Sequence, residues 1–149
     1  MSLKDWYRNG WIRKHSTSNQ EIGNLIDIVN RDILDAENTD LSPDWRFGIA
    51  YNAALKLCTI LLYAEGYRVE RNLAHYRTIQ ALVLILGPQK QHDVHYLDTC
   101  RTKRNTLEYD YIGSTTHTDA VELIAFVKEL QSEALAWLKE NHPELVISR

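Results

Sequence analysis

Apolar residues recur at three- and four-residue spacing along most of this chain, the period of helices that bury one face. The first such stretch carries Ile22, Leu25, Ile26, Val29, Ile33 and Leu34, with Asp27, Asn30, Arg31 and Asp35 on its wet side. Ser18 or Asn19 can cap its start, and Glu21 stands three residues after Ser18, as in a capping box. Asn38-Thr39-Asp40 ends it. A second helix opens at Ser42-Pro43, a capping serine followed by proline at the first helical position, and should run to about Glu65 with Gly66 as its stop. Its stripe is Trp45, Ile49, Tyr51, Ala53, Leu57, Ile60 and Leu61, while Gly48, Ala50, Ala53 and Ala54 would let a neighbour approach closely.

Three more helices follow. One spans about Leu73 to Leu86, with Ile79, Leu82, Val83 and Leu86 in line and Gly87-Pro88 as terminator. The next runs from about Lys90 to Tyr109. The last runs from about Thr118 to Asn141, burying Val121, Ile124, Ala125, Val127, Leu130, Leu135 and Leu138 before His142-Pro143. Tyr67 to Asn72 reads as a polar, arginine-bearing connection, and Asp110 to Thr118 as a loop around Gly113. No strand-type alternation stands out. Short loops between amphipathic helices make neighbours antiparallel, so the predicted fold is an all-α, antiparallel up-and-down bundle of four to five helices.

The predicted organisation is an arm or short helix over 1–17, a bundle over 18–142 and a tail over 143–149. The first segment sets Trp6, Tyr7 and Trp11 among Lys4, Arg8, Arg13 and Lys14. Such rings can stack on the bases of single-stranded nucleic acid. Docking on the chain's own bundle, or on a partner subunit, is the preferred reading.

Composition narrows the class. With 149 residues, 44% hydrophobic and 25% charged, the chain fits one ordinary globular domain. The longest apolar run, Ala81 to Leu86, is far short of the ~20 residues of a membrane span, and no membrane partner is expected. Met-Ser-Leu-Lys-Asp-Trp lacks the apolar core of a secretion signal. Cys58 and Cys100 stand in apolar helical contexts and read as buried hydrophobes, not a disulfide. A cytoplasmic location is the default expectation.

The net charge of −3 excludes a global attraction to nucleic acid. Its distribution is uneven. Residues 18 to 48 hold seven acids and two bases, residues 105 to 149 eight and three. Residues 64 to 104 hold seven bases against four acids: Arg68, Arg71, Arg77, Lys90, Arg101, Lys103 and Arg104 are the bases.

Most catalytic chemistries lack their residues. His92, His95 and Asp98 can share a helical face, but neither Glu-x-x-His nor His-Glu-x-x-His occurs, so no metal and no cofactor is expected. Cys100 could be paired with His75 or His95 only if its thiol were accessible, and it lies on the apolar arc of its helix. No glycine-rich phosphate loop is present. The densest polar cluster is Cys100 to Tyr111. At ~100° per residue, Cys100, Leu107 and Tyr111 face one way, Asp98, Arg101, Asn105, Glu108 and Tyr109 the other, and Arg104 sits on the seam. Asp98–Arg101 and Arg104–Glu108 pairs alone would make this an ordinary solvated face.

The order of residues adds a resemblance. Arg104-Asn105, followed by Glu108-Tyr109 late in the fourth helix of a five-helix bundle, resembles the HEPN superfamily. Its signature is an Arg, a polar residue, and a His after four to six residues. Asn52-Ala53-Ala54, Glu65-Gly66-Tyr67-Arg68, His75-Tyr76-Arg77-Thr78 and Leu97-Asp98-Thr99-Cys100-Arg101 are similar to one HEPN group of small actinobacterial proteins. The resemblance covers about residues 20 to 140. It implies a homodimer that cleaves RNA without metal, its Arg and His facing each other across the interface. Carried over, Arg104 would grip the scissile phosphate and Asn105 would orient it. Arg101, Lys103, Arg68 and Arg77 would add nucleic-acid or phosphate contacts. Tyr109 stands where the His is expected. A tyrosine ionises near pH 10 and is a weak base at neutrality, so the anion-binding half is kept and the acid–base half loses its usual group. The implied function is RNA or nucleotide binding in a toxin–antitoxin or defence setting, with a nucleotidyltransferase-like partner protein. The alternative is a non-catalytic dimeric interaction or scaffold bundle.

Overall fold

A computed structural model describes residues 1–109 and 115–146, with side chains described up to Asn105 and again from Thr115. The described elements are α1 (Leu3–Arg8), β1 (Ile12–Lys14), α2 (Asn19–Ala36), α3 (Pro43–Ala64), β2 (Tyr67–Val69), α4 (Ala74–Leu86), α5 (Gln91–Tyr109) and α6 (His117–Asn141). Single 3-10 turns at Pro88–Lys90 and Pro143–Leu145 precede α5 and follow α6. The fold is an all-α bundle with one small two-stranded sheet.

The helix starts are fixed by side-chain caps. Ser18 accepts from the Glu21 amide, Ser42 from Trp45 and Thr116 from Asp119. Glu21 does not complete a box with Ser18, because its carboxylate takes the Thr17 hydroxyl and the His15 ring at 2.7 Å each. Those two bonds hold its carboxyl below the usual range. Gly66 ends α3 at φ 90°, a conformation that costs a side-chain-bearing residue ~1–2 kcal/mol.

The core is centred on α3. Ala50, Ala53, Ala54, Leu57, Cys58, Ile60 and Leu61 are buried on several sides, against Ile22 and Val29 of α2, Ile79 and Leu82 of α4, Leu97 of α5, and Leu123, Val127 and Leu130 of α6. This explains four departures from the helical-wheel expectation. Trp45 is 69% exposed, Leu34 71% and Val121 45%; Ala125 is also exposed. All lie at helix ends or on outer faces, where the period continues past the surface it can cover. Gly48 has open space around its missing side chain, so the close approach belongs to the alanines. By length and composition α3 could also cross a membrane, contrary to the run-length expectation, because its apolar residues are interspersed with small ones; 61% of that window is buried inside the bundle.

Direction matters for the site. Asn30 meets Gln131 and Glu37 meets Lys128, so α2 and α6 run oppositely. Lys90 pairs with Glu133 and Lys103 with Asp119, so α5 and α6 do too. Between α3 and α4 the chain instead turns back. Tyr67–Val69 pairs antiparallel with Ile12–Lys14, in the register Ile12↔Val69, Arg13↔Arg68 and Lys14↔Tyr67. The connection expected to be a polar, arginine-bearing link thus contains an extended strand. It returns the chain alongside α3, so that His75 at the start of α4 meets Tyr51 near the middle of α3, while Ala81 joins Leu62 further on. The N-terminal segment docks on this strand: Trp6 and Ile12 are buried with Leu62, Tyr67 and Ala81 in a second hydrophobic cluster.

Candidate anion-binding face

The returning strand brings arginines to one side of the molecule. A cleft of about 1010 Å³ opens between the N-terminal segment, α3, β2 and α4, lined by Arg13, Arg68, Arg71 and Arg77 with Trp11, Tyr63, Asn72 and Thr78. Glu70 is the one acid among its lining residues, and it is paired with Arg13. Arg13 and Arg68 stand directly opposite each other in the ladder, an arrangement that like charges ordinarily disfavour. Arg77 lies over the Trp11 ring at 4.6 Å, a cation–π contact that fixes both at the cleft.

A second cavity, about 350 Å³, lies at the start of α4 and is lined by Arg71, Leu73, Ala74, His75, Tyr76, Arg101 and Asn105. Arg71 lines both. The start of α4 differs from the serine- and threonine-capped helices. Leu73 occupies the N-cap position at φ 57°, no side chain caps the helix, and its first turn holds no acid. Helix N-termini carry partial positive charge and attract anions. Arg101 donates its Nε proton to Asp98 at 2.9 Å, and its guanidinium lies 5.8 Å from the Tyr76 ring.

Next to the cavity's His75 is Tyr51, 1% exposed, its ring 6.2 Å from that of His75 and with Arg104 over it at 5.5 Å. The Tyr51 hydroxyl is buried without a hydrogen-bond partner, which ordinarily costs ~1–3 kcal/mol. Burial pushes the phenol's pKa upward, and the charges of Arg104 and Arg101 pull it partly back.

The residues singled out from sequence therefore separate into groups. Arg101 and Asn105 share the small cavity, whereas the half-buried Arg104 is not in its lining and lies over the Tyr51 ring. Arg68 and Arg77 line the large cleft. Lys103 points to the opposite face of α5, bonding Asp119 at 2.7 Å and lying 5.9 Å from the Phe47 ring. Tyr109 ends α5, and its side chain, with those of Leu107, Glu108 and Tyr111, lies outside the described residues. Arg71, His75 and Tyr51 join the site from other elements, which periodicity within α5 could not reveal.

The remaining candidates are accounted for locally. His92 and His95 are exposed, and among the described residues no three His, Cys, Asp or Glu side chains form a metal-holding group. Cys58 and Cys100 are free and buried. Burial pushes the Cys58 thiol up to about 12 and the Cys100 thiol up to about 11, which leaves both inert as nucleophiles at neutral pH. Compared with family models, curated proteins and solved structures, the chain matches none of them.

Proposed function

We propose that this chain binds RNA or a nucleotide through the arginine-lined face, as a HEPN-like protein of toxin–antitoxin or defence type. The carrying observation is the continuity of positive charge: the two cavities meet at Arg71 and, among the described residues, together present Arg13, Arg68, Arg77 and Arg101 with one lining acid. Trp11 and Tyr76 supply flat rings on the same face, as single-strand binders use for base stacking. The HEPN resemblance around Arg104-Asn105 supports the same side of α5. It also suggests a homodimer and a nucleotidyltransferase-like partner.

Binding to single-stranded RNA, titrated across salt concentration, tests this. Affinity should fall steeply with salt, and Arg71→Ala should weaken it and flatten the salt slope by roughly one unit. No binding by the parent, or unchanged binding by a folded Arg71→Ala, would overturn the proposal. Incubating parent and Tyr109→His with RNA and a chelator then asks separately about metal-independent cleavage.

A second reading is a dimeric interaction or scaffold protein. The exposed Trp45 and Leu34 favour it. Sedimentation of Trp45→Ser against the parent decides whether that ring holds subunits together.

A further inference from the structure

The small cavity at the start of α4 has a chemistry of its own. Its donors come from three separate elements: Arg71 from the returning strand's exit, His75 from α4, and Arg101 and Asn105 from α5. They surround one helix N-terminus that no side chain caps. A separate observation is Tyr51, next to the cavity's His75: its 1% exposed side chain carries a hydroxyl with no partner, its ring is 6.2 Å from that of His75, and Arg104 lies over it. Asp98 takes the Nε proton of Arg101, so the terminal nitrogens of that guanidinium are the ones presented to a ligand.

We infer that this cavity is a subsite for a terminal phosphate, the phosphomonoester end of a nucleotide or oligonucleotide, with the adjoining cleft taking the rest of the chain. This deepens the proposed function and rests on it. The choice of a terminal group follows from charge and geometry. A phosphomonoester presents three terminal oxygens and nearly two negative charges, whereas an internal diester presents two oxygens and one charge. Two guanidiniums, an amide, an imidazole and a helix N-terminus converging from different directions match the first better. Arg71 lines both cavities and so couples the subsite to the cleft. The unpartnered Tyr51 hydroxyl, on a ring beside His75, would supply a further donor to that phosphate.

The test compares two RNA oligonucleotides of one sequence, with a 5′-phosphate and a 5′-hydroxyl, by fluorescence anisotropy, with inorganic phosphate as competitor. The 5′-phosphate should tighten binding by about tenfold or more, the worth of one or two charge-assisted bonds. Asn105→Ala should erase that preference, and Arg101→Ala should weaken binding of the hydroxyl oligonucleotide and also erase the preference. Lys128→Met, on the far side of the bundle, should leave it intact. Tyr51→Phe should fold at least as stably as the parent and still reduce the preference, which a merely structural tyrosine would not do. A 3′-phosphate arm identifies which terminus is taken. If oligonucleotides bind equally well with and without any terminal phosphate, the subsite is disproved and the broader RNA reading stands. If neither binds, both fall.

Discussion

Helix α5 points a cation at a helix N-terminus from each of two opposite faces, and the two ends are treated differently. At α6, Lys103 meets Asp119, which also accepts from the Thr116 amide while the Asp119 amide donates to the Thr116 hydroxyl. Arg46 adds a further clamp there: buried, it donates to the Ala36 carbonyl at 2.8 Å and meets the His117 ring at 3.0 Å. At α4, Arg101 meets a first turn with no cap and no acid, ringed instead by Arg71 and His75. Among the described residues, the dipole is satisfied by a side-chain cap and an acid at one end and by neither at the other. Positive charge in a sequence is therefore informative only once its counter-charges are placed.

The comparison can be broken at its strongest point first. Arg46→Ala removes a buried charged donor from the Ala36 carbonyl and should cost about 1.5–3 kcal/mol by urea unfolding, with RNA affinity of the folded fraction unchanged. Leu73→Asp should make the α4 end resemble the α6 end. Aspartate tolerates the left-handed conformation better than leucine and puts a carboxylate at the helix N-terminus, so Tm should rise while the preference for a terminal phosphate disappears. Stability gained with the preference kept would show that the uncapped turn is not part of the subsite.

A smaller effect is expected at Asp119. The Lys103 bond and the Thr116 amide hold its carboxyl below the ordinary 3.8. A depressed folded pKa gives stability that is present above the unfolded value and is lost as pH falls through the folded one. Asp119→Asn should therefore lower Tm at pH 7, and the gap from the parent should close as pH drops below about 3.8. A gap independent of pH would mean that the cap acts through shape alone.

Much of the bundle was legible because its signals are local. Ser18, Ser42, Gly66 and Gly87 each announce a helix end within a few residues, and Ile22, Val29, Leu57 and Leu130 announce burial by spacing. The returning strand was not legible. Three residues are too few to show alternation, and the partner Ile12–Lys14 lies more than fifty residues earlier. The candidate site divides in the same way. Arg101 and Asn105 follow from one helical face, whereas Arg71, His75 and Tyr51 reach them only through that unpredicted reversal. Lys103 shows the converse: adjacent in sequence to Arg104, it is turned by the helical period toward Asp119.

The Ile12–Lys14 ladder has a consequence for how the molecule breathes. Its partner lies far along the chain, and its bonds are few beside the helices of the core, so it belongs among contacts that form late and release early. Release would free Arg13 and Trp11 together from the cleft while the α3-centred core stays folded. The wall of the large cleft can thus loosen while the α3-centred core keeps its packing, and opening it does not require the bundle to open.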